Sequence, residues 1–131
     1  MFLDASAMIA IIAGEDDAAS LAARLGQAEN VITSPIAVYE TILGLARVGN
    51  TSIVDASTVL HRFLVEVEAT VVPIDAACGQ AAVAAFQRFG RGRHAAALNL
   101  GDCFAYACAH LHRVALLCKG EDFPLTDIMI A

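Results

Sequence analysis

The chain has 131 residues, 58% of them hydrophobic, and a formal net charge of −6. That length makes one domain, residues 1–131, with enough chain for a core. The acidic balance argues against a protein that coats nucleic acid non-specifically. No window of about 18 uncharged apolar residues occurs, so no membrane span is expected. Asp4 interrupts the first apolar run and no basic leader precedes it, so a secretory signal is not expected. None of the four cysteines forms a C-x-x-C pair and each lies in an apolar setting, which reads as reduced core thiols in a cytoplasmic protein.

In chain order, Met1 to Asp4 reads as a short strand ending in an acid. Ser6 is placed to cap an apolar helix from Ala7 to Ala13, which stops at Gly14. Glu15, Asp16 and Asp17 open a second helix whose inner stripe is Leu21, Ala22 and Leu25. Acids suit the positive end of a helix dipole, so this triplet reads as a solvated helix start. Val31 to Thr33 reads as a second strand. Ser34-Pro35 is a strong helix start, a capping hydroxyl followed by proline at the first helical position. That helix runs to about Val48 and ends at Gly49-Asn50.

Thr51 or Ser52 starts a further helix reaching about Glu68, with Ile53, Ala56, Leu60, Phe63, Leu64 and Val67 as its stripe. Thr70 to Ile74 is β-branched and nearly continuous, which predicts a central strand. Asp75 caps a helix from Ala76 to Phe89, and Gly90 to Leu98 is a loop. Asn99 to His110 reads as a helix apolar nearly all round, hence buried. Val114 to Cys118 is a fourth strand and Ile128 to Ile130 a last short one. Strands alternating with helices predict a three-layer α/β/α domain around a mostly parallel sheet of four to five strands.

Two residues break the apolar pattern. Asn99 is placed to cap its helix, which puts Asp102 at the third helical position of an otherwise buried element. Glu40 lies one turn from Ile36 and Ala37 on one side and Leu43 and Gly44 on the other, within an apolar face. A buried carboxylate needs a cation, a proton or several donors. In a parallel sheet the functional crevice opens at the carboxyl ends of the strands, where Asp4, Asp75 and the Lys119 to Asp122 segment fall. Asp4, Glu40, Asp102 and Asp122 are therefore the candidate site. All are oxygen donors, suited to magnesium or manganese rather than zinc. A hard cation so held lowers the pKa of a water and stabilises charge on a phosphoryl centre, the chemistry of phosphodiester hydrolysis. Arg88, Arg91 and Arg93 crowd one loop region, and with His94 and Lys119 they form a candidate phosphate rim; a solvated loop is the alternative. His61, His110 and His112 read as surface or packing residues, and Tyr39 and Tyr106 as core aromatics.

The chain resembles the PIN-domain ribonucleases of the VapC toxin family. The resemblance lies in LDASA with Asp4 and Ser6, SPIAVYE with Glu40, FGRGRHAAALNLGDCFAYACA over residues 89–109 and CKGEDFPLTDI over residues 118–128. It implies strand order 3-2-1-4-5 and a metal-dependent endoribonuclease, using Mg2+ with Mn2+ as a substitute. It also implies a homodimer held inactive by a cognate antitoxin, with tRNA or another structured RNA as substrate. Its acids fall on Asp4, Glu40, Asp102 and Asp122. Asp127 is implied as an outer acid and Ser6 as a hydrogen-bonding support. Two departures stand out: Ala5 where Thr or Ser is common, and Glu121 where Asn or Asp is common beside Asp122. Either Glu121 or Asp122 then faces the metal. Three other readings compete. A receiver-like phospho-acceptor would use Asp4, Asp75 and Lys119, but it lacks the adjacent acid pair and leaves Glu40 and Asp102 unexplained. A haloacid-dehalogenase-like phosphatase needs an acid where Ser6 stands. A non-catalytic protein-binding module would leave four intact acids without a role.

Overall fold

Phe2–Leu3 (β1) lies at the middle of a parallel sheet in the computed structural model, which describes residues 1–131. It pairs on one side with β2 (Ile32–Thr33), through Phe2 and Ile32, and on the other with β4 (Leu116–Leu117). β3 (Thr70–Val71) pairs with β2, so the order is β3-β2-β1-β4. Phe2, Leu3, Leu116 and Leu117 are fully buried, as expected of strands covered on both faces. The α/β architecture and parallel pairing follow the alternating pattern of the sequence.

The sheet departs from expectation at both edges. β3 is an edge strand, not a central one, and both its residues are exposed. A continuous β-branched run signals strand but cannot say whether a second neighbour lies beyond it. The fifth strand is reduced to a single parallel bridge between Leu116 and Ile130. It is held by the Leu116 amide on the Met129 carbonyl at 2.8 Å and the Ala131 amide on the Leu116 carbonyl at 3.0 Å.

The helices α1 (Ala5–Ala13), α2 (Ala18–Leu25), α3 (Pro35–Val48), α4 (Ile53–Glu66), α5 (Ala76–Phe89) and α6 (Leu100–His112) flank the sheet. Their starts are locally encoded. The side chains of Ser34, Ser52, Asp75 and Asn99 accept from backbone amides in the first turns of α3, α4, α5 and α6. The first helix differs: Asp4, not Ser6, is its cap, and its carboxylate accepts from the Ser6 amide. An acid at a strand end can turn the chain directly into a helix, which starts α1 two residues early. Gly14 closes α1 at φ 70°, the left-handed conformation that glycine adopts freely.

Three packing expectations are corrected. Tyr39 is 63% exposed and not in the core; it lies one turn from the exposed Leu43 on the outer side of α3. Ile53 is exposed while Ala56 and Leu60 of its stripe are buried, because α4 packs along a narrower line than the apolar pattern suggests. Ala22 is exposed, leaving Leu21 and Leu25 as the inner side of α2. Tyr106 is buried and all four cysteines are free and buried, in line with the sequence. No helix is long and apolar enough to cross a membrane.

The topology decides where the acids meet. α6 leads into β4 and packs against β1 and β4. A helix that returns the chain to the amino end of a parallel strand begins at the carboxyl end of the sheet. The first turn of α6 therefore lies beside the end of β1, where Asp4 follows Leu3.

Candidate active site

Asp4 is held by backbone and side chain together. Its amide donates to the Leu117 carbonyl at 3.1 Å, extending the β1–β4 ladder. The Ser6 amide and hydroxyl donate to Asp4 Oδ2 at 2.9 and 2.6 Å. Ser6 Oγ in turn accepts from the Lys119 amide at 2.9 Å, which ties the start of α1 to the segment after β4. Ser6 thus orients Asp4 and fixes the chain that carries Asp122. Asp4 is only 5% exposed, and burial pushes its carboxyl above the usual range against the lowering effect of the Ser6 bonds.

Asp102 and Asn99 form a reciprocal cap. The Asn99 side chain accepts from the Asp102 amide at 3.0 Å, and Asp102 Oδ2 accepts from the Asn99 amide at 2.8 Å. Burial still raises the Asp102 carboxyl. The Asn99 bond lowers it, Asp4 and Asp122 raise it further by repulsion, and Arg91 pulls it down. Glu40, in the second turn of α3, is raised first by burial and then by the charges of Asp4 and Asp102. Of the adjacent acids in GEDF, it is Asp122 whose charge raises Asp102 and the Cys118 thiol; Glu121 acts on neither.

The structure thus brings Asp4, Glu40 and Asp102 within reach of one another's charge, with Asp122 acting on Asp102 from an exposed turn. None of these acids carries a salt bridge to a lysine or arginine. They do not close into a cage of three or more ligands. The nearby thiols stay protonated: burial pushes Cys103 up to about 11 and Cys118 up to about 12. The donor set is therefore one of hard oxygens.

Other candidates lie elsewhere. The Lys119 ammonium pairs with Glu15 and, at 3.2 Å, with Asp17, so two acids of the triplet before α2 serve as ion-pair partners at the rim. Asp127 is bound to Arg88 and Tyr106 and acts on none of the site acids. Arg91 is near enough to act on Asp102, whereas Arg93 stacks over the Phe86 ring at 5.6 Å. His94 is used within its loop, where Nδ1 accepts from the Ala96 amide at 3.1 Å. Asp75 caps α5 through the Cys78 amide at 2.8 Å, and its charge acts on the Cys108 thiol of α6 and on none of the site acids. The receiver-like reading loses its acceptor there.

Gly101 is a site residue that sequence reasoning passed over. A methyl group at this position would overlap the Glu40 carboxylate. The absent side chain lets α3 and α6 bring Glu40 against the first turn of α6. The available signal was a glycine inside a helix, which costs about 1 kcal/mol relative to alanine.

Comparison with known proteins places this chain in a family. The PIN domain profile matches residues 1–128. Ribonuclease VapC36 of Mycobacterium tuberculosis is 41% identical over 130 residues, spanning 98% of this chain and 91% of that one. Ribonuclease VapC of Mycolicibacterium smegmatis is 38% identical over 129 residues, spanning 98% and 97%. Among solved structures, VapC20 of M. tuberculosis, described as a sarcin-ricin loop cleaving toxin, superposes with a TM-score of 0.78 at 19% identity, covering 99% of this chain and 97% of that one. A toxin-antitoxin complex from Klebsiella pneumoniae gives 0.72 at 19% identity, with 99% and 95% covered. At that identity the two structures speak for the fold alone.

Proposed function

The chain belongs to the PIN-domain VapC ribonuclease toxins, and from that premise we propose that Asp4, Glu40, Asp102 and Asp122 hold Mg2+, or Mn2+ in its place, for hydrolysis of RNA. One observation carries this reading. Three carboxylates are raised by burial, two of them also by mutual repulsion, and no lysine or arginine is paired with them. A fold alone has no use for that cost, and a divalent cation relieves it. The open arrangement fits magnesium, which takes one or two carboxylates directly and keeps several waters. Both Ser6 bonds to Asp4 and the capping bond to Asp102 fall on Oδ2, leaving each Oδ1 for a cation or its waters.

The chain's own residues prepare the reaction. When bound, a cation there supplies charge for the scissile phosphate and lowers the pKa of an attacking water. Ser6 keeps Asp4 in one orientation. Glu40, its carboxyl raised by burial and by the charges of Asp4 and Asp102, is suited to accept a proton. Arg91, whose charge reaches Asp102, is the arginine we assign to an incoming phosphate, with Arg93 further along the loop. The ribonuclease then needs no protein nucleophile.

The biological reading follows the family. A structured RNA such as tRNA is the substrate class, a cognate antitoxin holds the toxin inactive, and the toxin works as a homodimer. Free buried cysteines suit the reducing cytoplasm in which RNA is found. The test is cleavage of RNA by purified, antitoxin-free protein with Mg2+ or Mn2+. Activity lost with EDTA, and with Asp4→Asn or Asp102→Asn in folded protein, supports the reading; activity indifferent to all three refutes it.

A further inference from the structure

Asp127 is the acid of the C-terminal segment that the site does not use, and its bonding is specific. Its Oδ1 accepts from the Tyr106 hydroxyl at 2.5 Å and its Oδ2 from the Arg88 guanidinium at 2.7 Å. One carboxylate thus spans α5, which carries Arg88, and α6, which carries Tyr106. The Tyr106 ring is itself fixed, stacked on His110 at 5.9 Å and tilted against Phe89 at 5.6 Å. Arg88 also lies over the Phe89 ring at 4.6 Å.

Tyr106 lies four residues after Asp102, so the two share one side of α6. Asp122 acts on Asp102, and Asp127 bonds Tyr106. The chain leaves the carboxyl end of β4 after Leu117, and Ile130 pairs in parallel with Leu116 at its amino end. The segment between them, bonded to Tyr106 through Asp127, therefore returns alongside α6 in the same direction. Asp122 itself has no side-chain hydrogen bond to hold it: it precedes the 3-10 turn Phe123–Leu125 without capping it, and is exposed. The position of Asp122 depends on anchors to either side. Those include the Lys119 amide on Ser6, the buried Phe123 ring, the Leu125 amide on the Asp122 carbonyl with the Thr126 bonds to the Phe123 carbonyl, and Asp127 at the far end.

We infer that Asp127 is a positioning residue, which with Arg88 and Tyr106 clamps the C-terminal segment along α6 and so sets Asp122 beside Asp102. Asp127 then works through Asp122 and makes no direct contact with the cation. This rests on the metal site proposed above.

The test is calorimetric titration of the full-length protein with Mn2+, then RNA cleavage on the same samples. Asp127→Asn and Tyr106→Phe each weaken Mn2+ binding by about 10-fold, the scale of lost outer support at a metal site. Asp122→Asn weakens it at least as much. Adding Asp127→Asn to Asp122→Asn causes no further loss, because the clamp has nothing left to position. Tyr106→Phe keeps the ring packing, so it carries the test if Asp127→Asn fails to fold. Wild-type affinity in folded Asp127→Asn and Tyr106→Phe overturns the clamp alone. So do losses that add in the double variant, or an Asp122→Asn protein that binds like wild type. Absence of Mn2+ binding by wild type overturns the clamp and the metal site together.

Discussion

Asp102 and Tyr106 lie one helical turn apart on the same side of α6, and the protein treats Asp102 and the acid that Tyr106 binds, Asp127, in opposite ways. Asp127 takes an arginine on one oxygen and a tyrosine hydroxyl on the other, and these two partners hold its carboxyl below the usual range. Asp102 takes one backbone amide, and burial with the charges of Asp4 and Asp122 holds its carboxyl above that range. The Asp127 side chain is 54% exposed in its salt bridge, whereas Asp102, Asp4 and Glu40 are more covered and carry no ion pair. The fold can neutralise an acid on this side of α6 and does so at one end only. An unpaired, sheltered group of acids beside a satisfied one is the pattern of a site awaiting a cation, not of a structural network.

The largest effect should come from substituting the unpaired acids. Asp4→Asn and Asp102→Asn should each lower RNA cleavage by more than roughly 100-fold, beyond the 10–100-fold typical of lost outer support. Asparagine still caps a helix, so circular dichroism should be unchanged. Ser6→Ala should fall in that outer range, roughly 10–100-fold, because it leaves the ligands in place but frees Asp4 and the Lys119 amide. Glu40→Gln should remove repulsion as well as chemistry. Cleavage falls, while the metal-free protein melts at a higher temperature than wild type, which a structural acid would not allow.

The two ends of α6 should also respond to pH with opposite sign. Asp4, Glu40 and Asp102 have raised carboxyls, so the folded metal-free chain binds more protons than the unfolded one in their range. Stability contributed there falls as pH rises through that range. Asp127 is lowered, so its contribution is present above the unfolded carboxylate value and is lost as pH falls through the folded one. Thermal melts of metal-free wild type and Asp127→Asn across acidic pH separate the two. Mn2+ competes with protons for the raised acids, so its stabilising shift should grow with pH. The smallest effect is expected for Gly101→Ala. Helix propensity favours it by about 1 kcal/mol, but the new methyl displaces Glu40. Mn2+ affinity should drop while the melting temperature stays near wild type.

What the sequence discloses divides along the same line. Helix starts at Ser34, Ser52, Asp75 and Asn99 are legible because a capping side chain acts on an amide within three residues. Glu40 and Asp102 are legible as carboxylates in apolar helical surroundings, an anomaly visible in one dimension. The pairing of Asp127 is not, because Arg88 is 39 residues away and Tyr106 is 21 away. The sequence leaves Lys119 open between a substrate phosphate and a carboxylate partner, and the ion pair with Glu15, 104 residues distant, is visible only in the fold. The edge position of β3 and the exposure of Tyr39 fail for a related reason. Apolar pattern reports what a segment could bury, while its neighbours decide what is buried.

The most direct measurement is calorimetric titration of the metal-free chain with Mn2+ at neutral pH, wild type beside Asp102→Asn. Saturable binding to wild type that Asp102→Asn abolishes, with RNA cleavage lost in step, is the predicted result. Matching isotherms for the two proteins, or cleavage that persists in excess EDTA, would contradict a cation held by these acids.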